Sequence, residues 1–172
     1  MAKKLKGIKK LNKAITELVE PFGISEAKLG TDFAYYFTDE HIEFQITCRD
    51  WTDELFDKFV EEEFGFKNPY PFVLSILHEI GHHNTWEEIE DDVYDRILKK
   101  KEKIAKIIQN KKNSREKKIA ADLEYFKLPD EYAATAWAVD YFTQNRKECD
   151  EMYKKACDAL REFYTENEIT ED

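Results

Sequence analysis

Glycine and proline are scarce in this chain, 5 and 4 of 172 residues. That leaves little material for a turn-dense all-β fold or a flexible linker, since tight turns draw on glycine for positive φ and on proline for a preset φ. Cysteine is scarcer still. Cys48, Cys149 and Cys157 are odd in number and contain no C-x-x-C pair, so there is neither a closed disulfide framework nor a zinc knuckle. A cytoplasmic, reducing location is the expectation. No apolar run approaches the roughly 18 residues that a membrane span needs. The N-terminal MAKKLKGIKKLNKAITELVE is basic but lacks the continuous apolar core of a secretory signal. Net positive charge is also missing: 27 Lys+Arg against 37 Asp+Glu give −10 at pH 7, which is not the default balance of a nucleic-acid binder.

What is present is a 42% hydrophobic and 14% aromatic content, enough to build a core beneath a heavily charged surface. The length suits one domain over 1–172. Ile8, Leu11, Ile15, Leu18 and Val19 recur at helical spacing and end at Pro21 and Gly23. The period then shortens. Phe33 to Phe37, the turn-like Thr38-Asp39-Glu40 and the alternating Ile42, Phe44 and Ile46 predict an antiparallel hairpin with one buried face. His41 falls at its turn and reads as a surface residue.

Helical spacing returns for Trp51 to Phe64. It returns again in PFVLSILHEIGHHN, where Val73, Ile76, Leu77 and Ile80 form a tight apolar stripe that belongs in the core. Thr85-Trp86-Glu87-Glu88 fits a capping box for a helix carrying Ile89, Val93, Ile97, Ile104 and Ile108. Ser114 is placed to cap the next run. Pro129 opens EYAATAWAVDYF, a helix dense in alanine and aromatics, and a final helix leads to an acidic tail expected to fray over 165–172. The fold class expected is α+β, predominantly helical, with a small antiparallel sheet.

His78-Glu79-Ile80-Gly81-His82 is an H-E-x-x-H on a segment that is helical for independent reasons. Residues four apart share a face, so two imidazoles can take adjacent corners of a zinc tetrahedron. Glu79, rotated about 100° from His78, sits beside such a metal and can accept a proton from an activated water. Gly81 has no side chain, which allows another segment to approach closely. A third ligand is needed. Glu88 stands where one spacing would require a histidine, and the acidic run Glu87 to Asp92 reads as the solvated start of a helix. Glu131 is the better candidate: it begins a helix of otherwise largely apolar side chains, and a lone buried acid needs a partner. The bland alternative is that Asp130 and Glu131 are merely favourable charges in a first helical turn.

The pairing of this H-E-x-x-H with Glu131-Tyr132-Ala133-Ala134-Thr135-Ala136-Trp137-Ala138 resembles the zincin metallopeptidases of the glutamate-ligand branch. Most of all it resembles the ImmA/IrrE-type peptidase domain, whose later helix has the pattern E-x-x-A-x-x-F-A. The resemblance covers both helices and, more loosely, the preceding hairpin and helix. It implies a minimal zincin-like fold, Zn²⁺ held by His78, His82 and Glu131, and Glu79 as catalytic base. It also implies an edge strand that holds an extended protein or peptide substrate, for which Ile42–Thr47 (Ile42, Phe44, Ile46) is the candidate. The chain departs from the pattern in three ways. Trp137 replaces Phe, Ala133 stands where an acid is common, and the ligand spacing is long, consistent with a helical insertion over 85–127.

His83 and Tyr132 are candidates for stabilising an oxyanion or donating a proton, against a solvated histidine and a packing tyrosine as the plainer readings. Residues 96–118 are strongly basic but carry no interleaved aromatics, so a solvated helix face is favoured over a nucleic-acid contact. A zinc-binding module that recognises without cutting, and a metal-free helical interaction protein, remain open at this point. No membrane partner is expected.

Overall fold

The computed structural model describes residues 5–46 and 51–168, with only the backbone of residues 51, 52 and 88. Cys48 and Thr47 lie outside the described residues. The chain folds as α1 (Ile8–Val19), β1 (Glu26–Leu29), β2 (Ala34–Tyr36), β3 (His41–Phe44), α2 (Trp51–Phe64), α3 (Pro71–Thr85), α4 (Asp91–Gln109), α5 (Arg115–Phe126), α6 (Pro129–Gln144) and α7 (Arg146–Asn167). The architecture is α+β, predominantly helical with one small sheet. No helix among the described residues is long and apolar enough to cross a membrane.

The sheet is mixed rather than purely antiparallel. Its order is β1-β3-β2, with β2 antiparallel to β3 as the hairpin pattern predicts and β1 parallel to β3 on the other side. β3 is therefore the central strand, and Ile42 and Phe44 are wholly buried. This corrects the assignment of Ile42, Phe44 and Ile46 to a substrate-binding edge: the backbone of β3 is paired on both sides, and Ile46 lies beyond its end. The outer edge of β1 is closed by α1, because Ala27 N–H donates to Thr16 Oγ1 at 2.9 Å and Leu29 N–H to Asn12 Oδ1 at 2.9 Å. The other edge of the sheet is that of β2, which carries no further strand among the described residues.

His41 is buried rather than at the surface, its ring stacked on Tyr36 at 4.5 Å. The turn before it is closed by Glu40 at φ 47 and by Ser25, whose hydroxyl contacts the carbonyls of Asp39 and Glu40 at 3.0 Å.

α3 lies in the main core through Val73, Leu74, Ile76, Leu77 and Ile80, packed with α6, α7 and the sheet. The capping-box expectation fails at its end. Thr85 Oγ1 donates back to the Gly81 carbonyl at 2.9 Å, so Thr85 finishes α3, and α4 starts only at Asp91 after a short 3₁₀ turn over Trp86–Glu88. α4 and α5 pack on each other through a separate small cluster of Ile97, Ile104, Ala121 and Leu128. Ser114 caps α5 by accepting from Lys117 N–H at 3.3 Å. The C-terminal helix persists beyond the expected fraying point at 165, because the buried Asn167 accepts from Lys6 N–H at 2.8 Å and donates to the Lys6 carbonyl at 3.1 Å.

Candidate metal centre

The site is assembled where α3 crosses α6. A Cβ on Gly81 would lie 2.4 Å from the Ala134 carbonyl oxygen and 2.9 Å from its Cα, so only glycine admits this approach. Glu131 and Thr135 flank Ala134 on the same face of α6, and the crossing brings both to the histidines of α3.

The side chains meet at short range. Glu131 Oε2 lies 3.1 Å from His78 Nε2 and 3.4 Å from His82 Nε2. A tetrahedral zinc site with bonds of about 2.0–2.1 Å has corners about 3.3 Å apart. Glu131 Oε2 thus stands at coordination-shell spacing from both imidazole nitrogens, and the three residues, with donor atoms within 4.8 Å of one another, form the metal-competent group among the described residues.

The chemistry of the donors agrees. Thr135 Oγ1 donates its one proton to the Glu131 carbonyl at 2.8 Å, so at 3.1 Å from His78 Nδ1 it must accept. That directs Nδ1–H to the threonine and leaves Nε2 facing the Glu131 carboxylate oxygen, where a proton or a metal ion can lie between them. A ligating histidine whose other nitrogen is fixed by a hydrogen bond is the usual outer-sphere support of a metal site.

The electrostatics fit the same picture. Burial alone would raise the Glu131 carboxyl, but its hydrogen bonds with His78 and His82 and the charge of both imidazoles outweigh this and hold it well below the ordinary range. Glu131 Oε1 is occupied separately: Lys101 from α4 bridges it to Asp130 Oδ2. The Lys101 ammonium also lies 5.1 Å from the Tyr125 ring centroid. Burial would lower the Lys101 pKa, yet Glu131 and Asp130 raise it above its usual value. Lys101 therefore neutralises one oxygen of the Glu131 carboxylate and leaves the other to the histidines. Tyr125 is pushed far up by burial and by the Glu131 charge, so it stays a neutral phenol.

Glu79 is buried at the edge of this group. Burial pushes its carboxyl up to about 7; the His78 charge opposes the shift, while Glu131 and Asp32 reinforce it. A carboxyl poised there can take and return a proton near neutral pH. His78, Glu79, His82 and Glu131 all line one cleft of about 520 Å³, within the range of small-ligand and substrate pockets. β2 walls it on one side through Tyr35 and the following Phe37, and Tyr94 and Lys101 of α4 wall it on the other.

His83 and Tyr132 do not line this cleft. His83, about 100° around the helix from His82, has its Nδ1 hydrogen-bonded to the Tyr35 hydroxyl at 2.6 Å and its Nε2 turned toward Gly23. Tyr132 is exposed on another face of α6, with its ring 5.0 Å from that of Phe64. The sequence reading missed Lys101, Thr135 and Tyr125. Lys101 was hidden within the basic run. Thr135 follows Glu131 by one helical turn, and that spacing is the signal that could have found it. Elsewhere in the run, Arg96 pairs with Asp92 at 2.9 Å and Lys100 with Glu124 at 3.2 Å.

No family model matches the chain, and neither a curated protein nor a solved structure shows significant similarity to it. The case for function rests on the geometry of the site and on its motif.

Proposed function

We propose that this protein is a zinc-dependent peptidase with a minimal zincin-like fold, in keeping with the resemblance of its two site helices to the ImmA/IrrE-type domain. The observation that carries the reading is the convergence of His78 Nε2 and His82 Nε2 on Glu131 Oε2, which lies 3.1 and 3.4 Å from them. Thr135 orients the first of them. When bound, a zinc ion supplies Lewis acidity that lowers the pKa of water toward neutrality and polarises a carbonyl.

The chain supplies the rest. His78, His82 and Glu131 are three protein ligands, leaving a position open as catalytic sites require. Glu79 accepts the proton of the attacking water and passes it to the departing amine, for which a pKa of about 7 suits both directions. The open edge of β2 offers backbone groups to an extended peptide along the cleft.

The test is a pair of variants of the full chain, assayed by metal analysis and by cleavage of an unstructured protein such as casein. Glu131→Ala should lose stoichiometric zinc. Glu79→Gln should retain about one zinc per chain and lose hydrolysis. Wild-type protein purified without chelator that carries no transition metal would end the proposal. Zinc binding without cleavage of any protein tested would favour a recognition module on the same scaffold.

A further inference from the structure

Four aromatic rings from three separate segments gather at one end of the cleft. Phe37, just past the end of β2, has its ring centroid 4.9 Å from Tyr35, 5.6 Å from Trp86 and 6.2 Å from Tyr94, each nearly edge-to-face. Phe37 and Trp86 are 38% and 46% exposed, two of the exposed large apolar side chains among the described residues. Exposed aromatic clusters of this kind mark binding surfaces, because each ring offers much apolar area at little conformational cost.

The cluster is continuous with the metal site: Tyr35, Phe37 and Tyr94 line the same cleft as His78, Glu79 and His82. Whatever lies against these rings is therefore part of what the site acts on, which identifies the occupant as a substrate side chain rather than a separate partner.

Spacing places that side chain along the substrate. Tyr94, Lys101 and Ile108 recur every seven residues on α4, and all three line the cleft, so one stripe of the helix faces β2 across it. Lys101 marks the metal end, since it pairs with Glu131. From Lys101 to Tyr94 is two helical turns, about 10 Å along the axis, or about three residues of an extended peptide.

We infer that Phe37 and Tyr94, with Trp86 packed on Phe37, form a specificity subsite for an aromatic side chain about three residues from the scissile bond. This rests on the peptidase reading above. The insertion that separates the metal-binding helices thus acts as a substrate-selecting wall.

The probes are peptide hydroxamates, which chelate zinc and reach along the cleft from either direction. Phe-Ala-Ala-hydroxamate and hydroxamoyl-succinyl-Ala-Phe-amide, in which the succinyl unit stands for one residue, are each compared with an all-alanine counterpart, by calorimetry on the zinc-loaded full chain. At least one phenylalanine probe should bind about tenfold or more tighter than its counterpart. That ratio should fall toward one in Phe37→Ala and in Tyr94→Ala, and recover largely in Phe37→Leu. Tyr153→Ala, an exposed aromatic on α7 stacked on Tyr70, should keep it. Ratios within threefold for both probes, or a preference that survives both alanine variants, overturn the subsite while leaving the peptidase reading intact. If no hydroxamate binds the zinc-loaded protein, the peptidase reading fails and the subsite with it.

Discussion

Helices α3 and α6, the floor of the cleft, meet at nearly bare backbone, with Gly81 against the Ala134 carbonyl. Helices α4 and α5, which wall it, meet through the short satellite cluster of Ile97, Ile104, Ala121 and Leu128. The wall reaches the floor at the Lys101 bridge to Asp130 and Glu131, and Phe126 of α5 enters the main core. The floor tolerates no added atom, because close-packed backbone has nowhere to move. The wall is held by replaceable apolar volume and by the ion pairs of Lys100 and Lys101. The proposed metal ligands thus lie on the part of the molecule least able to deform, and the proposed substrate contacts on the part most able to vary.

The comparison breaks most sharply at Gly81. Gly81→Val should cost more than about 3 kcal/mol, because its side chain would overlap backbone rather than a movable side chain. It should also abolish zinc retention by driving Glu131 away from the histidines. Denaturant unfolding and metal analysis together read this outcome, and a stable variant that still binds zinc would show the floor to be softer than described.

The floor also carries a cost at Glu79. Its carboxyl is raised in the folded state to about 7 from an ordinary value of 4.5. The protonated form is favoured on folding, so this contribution is complete below about pH 4.5 and is lost as pH rises through about 7. Glu79→Gln stays neutral throughout. The metal-free variant should match wild type near pH 4 and exceed it by about 2–3 kcal/mol at pH 8. Equal stability at pH 8, measured by urea unfolding, would mean that Glu79 is better solvated than its burial indicates.

The smallest effect is expected in the wall. Ile104→Val should cost about 1 kcal/mol, and competition with a chromophoric chelator should find the zinc affinity within about threefold of wild type. A large loss of affinity would show that the wall helps to position Glu131 through more than Lys101.

Much of the floor was legible from residue order. The stripe Val73, Ile76, Leu77 and Ile80 specifies a core helix, and that helix carries both histidines four apart. The lone acid heading an apolar helix pointed to Glu131, and Gly81 pointed to a close approach. The wall and the sheet were less legible. β1 is four residues with no strong alternation, stabilised by Thr16 and Asn12 of α1 rather than by its own pattern. Without β1 in view, β3 passed for an edge. Lys101 is one basic residue among many, and only its position opposite Asp130 distinguishes it.

Local order alone determined which residues could serve as donors, because helical periodicity is written in neighbours three and four apart. It equally set the charge, the scarcity of turns and the buried character of α3. Tertiary structure decided which acid meets the histidines, which proton Thr135 fixes, which strand remains open and which lysine turns inward. Each of these depends on contacts between segments distant in the chain, where the deciding quantity is the distance between backbones rather than the identity of either residue.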